Sequence, residues 1–173
     1  MRRIILVLIL PFLVFACGDD LFDIDIDFDY DFTGDFDLPE LAEGLHEIDS
    51  DIIELTVLEE LKKRNLADIS SASLKQLSLE IPQTEQLDWS FIQSAEVLMI
   101  VDGQETPMAS FTEIPSTIGK TLNLHIEADE FRLIDFLDAE TAQARLRVNL
   151  RQPLTKKLKI AALAGTKISA RTN

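Results

Sequence analysis

Asp23-Ile24-Asp25-Ile26-Asp27-Phe28-Asp29-Tyr30-Asp31-Phe32 alternates acid with apolar or aromatic side chains at every step. In an extended chain successive side chains point to opposite faces, so this stretch has one wholly acidic face and one wholly apolar face. Wound into a helix, the same residues would mix around the axis and bury nothing. The stretch therefore predicts a β-strand with one face on a core and its aspartates in water.

The rest of the chain repeats that period. In Ala142–Arg151 the set Ala144, Leu146, Val148 and Leu150 alternates with Arg145, Arg147, Asn149 and Arg151, and Pro153 ends the run. The segment 156–170 predicts a last strand with Gly165 as a bend or bulge. Leu77, Leu79 and Ile81 alternate ahead of Pro82. Residues 94–101 are apolar on both faces, as a central strand requires, and Asp102-Gly103 supplies a hairpin turn. Residues 107–115 predict an edge strand between prolines, and 121–128 one more strand. Two helices interrupt them. The first starts at Thr56, where the hydroxyl and Glu59 make a capping box and Lys62-Lys63-Arg64 fall in the last turn; the second lies near 129–140. About seven short strands with few helical residues predict a mainly β chain: an immunoglobulin-like antiparallel β-sandwich with one or two short helices.

Charge is segregated. Residues 18–60 hold 17 acidic and no basic side chains, whereas 141–173 hold 8 basic and no acidic ones. Both blocks also carry the strand period, so their opposite charges point to pairing between strands, with the first strand beside or across from a basic one such as Arg145–Arg151. The net charge of −15 opposes binding to nucleic acid.

Met1-Arg2-Arg3, an apolar run of about 13 residues and a small residue make a secretory leader, too short for a span of ~20 residues. Val14-Phe15-Ala16-Cys17 resembles the lipobox of bacterial lipoproteins. That resemblance implies removal of residues 1–16, acylation of Cys17 and an anchored tether at 17–22, which leaves 23–173 as the single sandwich domain that the strand pattern predicts. It also gives the only cysteine a use that needs no disulfide. The mature net charge is then −17, from 14 basic and 31 acidic residues, since Arg2 and Arg3 leave with the leader. Cys17-Gly18-Asp19-Asp20-Leu21-Phe22-Asp23 resembles the acidic export signal of surface-exposed lipoproteins of Bacteroidota. Together with the strand pattern, it makes the chain resemble small β-sandwich lipoproteins of that group, whose activities are mostly unassigned. The resemblance implies an outer-membrane protein displayed at the cell surface, with a periplasm-facing orientation as the alternative. The partners it implies are the membrane, through lipidated Cys17, and an envelope protein or glycan.

The aspartates admit a second reading. Asp29 to Glu40 resembles the twelve-residue calcium loop of EF-hand proteins, with oxygen ligands at Asp29, Asp31, Thr33, Asp37 and Glu40 and the turn glycine at Gly34. No other motif asks for a cofactor, and strand pairing remains the competing account of the same residues.

Catalytic signatures are sparse. His46 and His125 are the only histidines, and one cysteine adds too little for zinc. No serine stands in a nucleophile elbow, and no phosphate or dinucleotide loop is present. Trp89 reads as a half-buried anchor beside Phe91, with sugar stacking as its functional alternative. The expectation is a non-catalytic binding, adhesion or envelope-structural protein; the rival is a hydrolase of surface polysaccharide acting through a carboxylate pair.

Overall fold

The computed structural model describes residues 24–114, 119–128, 130–139 and 141–172. These form ten strands and two helices: β1 (Asp25–Leu38), β2 (Gly44–Asp49), β3 (Ile53–Glu54), α1 (Val57–Lys63), β4 (Leu66–Glu80), β5 (Ile92–Val101), β6 (Gln104–Phe111), β7 (Thr121–Asn123), β8 (His125–Ile126), α2 (Glu130–Leu137), β9 (Thr141–Leu150) and β10 (Leu158–Thr172). One sheet runs β1-β10-β4-β7. The other runs β2-β9-β5-β6-β8, with β3 also on β9. All pairings are antiparallel, and the two sheets enclose one apolar core, the β-sandwich that the alternating sequence predicts.

The period of two is the reason each layer has an inside. Phe28, Phe36 and Leu38 of β1 meet Ile160, Ala162, Ala164 and Ile168 of β10, while Ala144, Leu146, Val148 and Leu150 of β9 face them from the second sheet. The small alanines of β9 and β10 let the layers approach, and Phe136 of α2 fills the space beside Phe32, with ring centroids 5.5 Å apart. Each large side chain so buried contributes about 1.5–3 kcal/mol.

Several local devices differ from the sequence expectation. The first strand pairs with β10 along its whole length rather than with the arginine strand β9, which lies in the other layer. Residues 121–126 divide at Leu124: Leu122 pairs with Leu79 in the first sheet and His125 with Ser110 in the second. The chain changes layers there, which stitches the sandwich together at one edge. The segment at 107–115 is not a free edge, because β8 adds two more residues beyond β6. Val101-Asp102-Gly103-Gln104 does form the hairpin turn, with positive φ at both Asp102 (51°) and Gly103 (76°) as that turn type requires. Gly165 does mark a bulge: the β10–β4 register shifts between Gly165 and Thr166. The buried hydroxyl of Thr166 then donates to the Tyr30 carbonyl at 2.6 Å.

Candidate functional site

Cys17, the Asp19-Asp20 pair and Phe22 lie outside the described residues. The calcium candidates lie inside them, and they do not form a loop. Asp29, Asp31, Thr33 and Asp37 belong to the continuous strand β1, and Glu40 lies just beyond it. Alternate residues on a strand are separated by ~6.5–7 Å, so a row of this kind spreads its oxygens instead of converging them. The reason is the register: β10 hydrogen-bonds this segment from Asp25 to Leu38 and holds it extended. Gly34, the expected turn glycine, has another use. A Cβ there would stand 3.0 Å from Cδ1 of Ile53, so the glycine admits β3 against β1. Among the described residues no group of three or more His, Cys, Asp or Glu is placed to hold a metal ion.

The aspartate row instead meets lysines of its neighbouring strand. Lys167 Nζ lies 2.6 Å from Asp27 and Lys159 Nζ 2.9 Å from Asp35. The hydrogen bonds from Lys167 and Ser169 hold the Asp27 carboxyl below its ordinary value. Charge pairing between the acidic and basic ends of the chain is therefore present, on β10 rather than β9.

The arginines of β9 have their own partners on the outer face of the second sheet. Arg145 donates to both carboxylate oxygens of Asp49 (2.5 and 3.0 Å) and to Glu105. Arg147 donates to Glu47 at 2.8 Å and to Glu96 at 2.7 Å. The Arg145 bond holds the Asp49 carboxyl low, and Asp49 in turn pushes the guanidinium up. Beneath this lattice lies Leu98. It projects outward in register with Arg145 and Pro107, yet it is 3% exposed and belongs to no part of the inner core. The lattice roofs an apolar side chain on a face that would otherwise be wet.

His46 donates from Nε2 to the Ala42 carbonyl at 2.8 Å, and His125 is exposed on the short edge strand β8. Trp89 is fully buried. Its Nε1–H donates to the Lys120 carbonyl at 2.8 Å, and its ring stacks near that of Phe91 with centroids 6.4 Å apart. That closes the sugar-stacking alternative for this side chain, and its burial exceeds the half-burial expected of it.

Two hollows could not be found by sequence spacing. One, of about 560 Å³, lies between the β5–β6 hairpin and the C-terminal end of α2, lined by Met99, Asp102, Thr106, Asp135 and Asp138. Partial burial, and after it the charges of Asp135 and Asp68, push the Asp138 carboxyl above its ordinary value. The other, of about 440 Å³, opens at the far end of β9 and is lined by Gln93, Glu113, Ile114 and Arg151. Both are open depressions on a filled sandwich.

No family model and no curated protein matches the chain. A solved structure from Desmodium yellow mottle tymovirus aligns over 87% of this chain and 90% of that one, at 12% identity and a TM-score of 0.30, a likeness too low to carry an argument.

Proposed function

We propose that the protein is a lipid-anchored, surface-displayed module of the bacterial outer membrane, resembling small β-sandwich lipoproteins of Bacteroidota, that acts by binding an envelope partner or glycan and not by catalysis. The observation that carries the binding part is the filled interior: side chains occupy the space between the sheets, and the hollows are open surface depressions. Recognition then falls to outer faces. The anchor is supported by Val14-Phe15-Ala16-Cys17 and the display by Asp19-Asp20 with Phe22. A diacylated cysteine gives stable attachment where a single chain gives only marginal binding.

In cells fed a fatty-acid probe, the wild-type chain should carry label and Cys17→Ser should lose it. Label retained by Cys17→Ser would refute the anchor. Replacing Asp19 and Asp20 with alanine should lower protease accessibility on intact cells while the membrane-bound amount stays constant; unchanged shaving would return the protein to the periplasm-facing alternative.

The hydrolase reading has one observation in its favour: burial in a hollow shared with Asp135 pushes the Asp138 carboxyl above its ordinary value, the direction a general acid requires. Release of reducing ends from surface polysaccharide that disappears in Asp138→Asn would establish that reading; release equal in both proteins would exclude Asp138 as its acid.

A further inference from the structure

Arg145 and Arg147 leave β9 on its outward face and Arg151 follows one residue past the strand's end, and their surroundings differ sharply. The first two are clasped by carboxylates on both sides. Arg151 makes no ion pair among the described residues. Its Nη2 donates to the carbonyl of Ile114, and its Nε–H is sealed from water without an acceptor. Such an unmet donor is costly, and more so when the group is charged. Nη1 makes no hydrogen bond among the described residues, and Arg151 lines a hollow with Gln93, Glu113 and Ile114.

Gln93 is the second side-chain donor of the hollow. Asn149 Nδ2 donates to Gln93 Oε1 at 3.1 Å, which fixes the Gln93 amide with its own NH₂ free. Ser94 and Thr112, the next residues along the two strands, line an adjoining hollow with Ser110 and the exposed Leu45. Glu113 is exposed and held at φ 59°, and it lines the hollow without pairing to Arg151. A guanidinium nitrogen beside one side-chain amide, with hydroxyls in the adjoining hollow, suits a ligand with a carboxylate at one end and hydroxyls along its body.

We propose that this face binds a carboxylate-bearing sugar, with Arg151 receiving the carboxylate and Gln93 donating beside it. The assignment rests on reading the domain as a binding module and names the ligand class of that module. A guanidinium N–H donating to a carboxylate makes a strong charge-assisted bond.

The test is a titration of the full chain in neutral detergent micelles at 0.15 M salt, where the protein's own negative field is screened beyond about 8 Å. The probes are galacturonate, galactose and acetate, and the readouts are the NMR signals of the Arg151 Nε–H and the Gln93 side-chain amide. Galacturonate should move both signals to saturation, and galactose should leave Arg151 unmoved. Arg151→Gln, with an unchanged melting temperature as its control, should weaken galacturonate binding by about tenfold or more. Glu113→Gln, an exposed substitution, should tighten it by removing a like charge. Galacturonate without effect on the Arg151 signal, or galactose with the same effect, would overturn the site. Acetate binding as tightly as galacturonate would overturn the sugar. A chain that takes up no fatty acid yet binds galacturonate keeps this site and loses the anchor; a labelled chain silent in the titration does the reverse.

Discussion

Tyr30 accepts the backbone N–H of Thr56 on its hydroxyl at 2.9 Å, 26 residues away in sequence. The start of α1 thus takes its polar closure from β1. The Thr56 hydroxyl makes no capping bond of its own; instead its Oγ1 lies 3.4 Å from the Tyr30 hydroxyl. The Glu59 half of the capping box read at Thr56 and Glu59 is replaced, because the Thr56 N–H that its carboxylate would accept is already bonded to Tyr30. Tyr30→Phe should therefore cost about 1 kcal/mol and raise amide exchange in α1, whereas Thr56→Ala should cost less than the ~1 kcal/mol usual for a lost cap. Equal losses for the two variants would show that the Thr56 side chain caps after all. Leu98 makes a second residue-scale case. Its truncation to alanine should cost about 2 kcal/mol, the low end for a buried leucine, because the stems of Arg145 and Arg147 can settle into the space. A loss below a few tenths would mean that the lattice shelters nothing. Both measurements are denaturant melts.

At the scale of elements, the aspartate row of β1 is a charged edge. It sits at the margin of its sheet, where an unpaired strand invites association with other chains and like charges discourage it. Replacing Asp27 or Asp35 with asparagine should lower the melting temperature slightly, and the difference should shrink as salt is added, since both pairs are exposed. Asp29→Asn should change less, because among the described residues Asp29 forms no lysine pair. Millimolar calcium should give the same melt as chelator; a rise of several degrees that disappears in Glu40→Gln would restore the metal reading. The strands with clean alternation, β1 and β9, were legible in the sequence because burial on one face leaves a pattern of two. The first half of β4 was not, since Asp68, Ser70, Ser71 and Ser73 mask the alternation of Ile69, Ala72 and Leu74. β2 and β3 are too short to show a period, and they hold β9 through Ser50, whose backbone N–H donates to the Ala144 carbonyl at 2.8 Å while its Oγ receives the Ala144 N–H at 3.0 Å. The difference of Arg151 was likewise invisible: Arg145, Arg147 and Arg151 look alike until the fold shows which of them form ion pairs.

For the molecule as a whole, acid titration joins these interactions. Asp27 and Asp49 are held below their ordinary values in the fold. Their stabilisation is complete above the unfolded carboxylate value near 3.8 and is lost as pH falls through the lower folded values. Asp138 has the opposite sign, since its raised value favours the neutral form and burdens the fold once it ionises. Asp138→Asn should therefore stabilise at pH 7 and make little difference at pH 3, while the wild-type chain loses stability below about pH 4. Thermal melts across that range check both; a benefit from Asp138→Asn that grows toward acid would reverse the assigned sign.

The pairing of β1 with β10 also dictates a timetable. A ribosome makes β1 first and β10 last, and β10 is the strand that joins β1 to the rest of its sheet. Until the final residues emerge, the first sheet has no centre, and closing it requires contacts across well over a hundred positions, which makes for slow assembly. During that wait the segment 25–37 carries a carboxylate at nearly every second residue and no lysine of its own. Mutual repulsion keeps it extended and apart from other copies, and the arrival of Lys159 and Lys167 with β10 lifts that repulsion at the moment the partner strand becomes available. The same side chains serve the nascent chain as a delay and the finished sheet as a clasp.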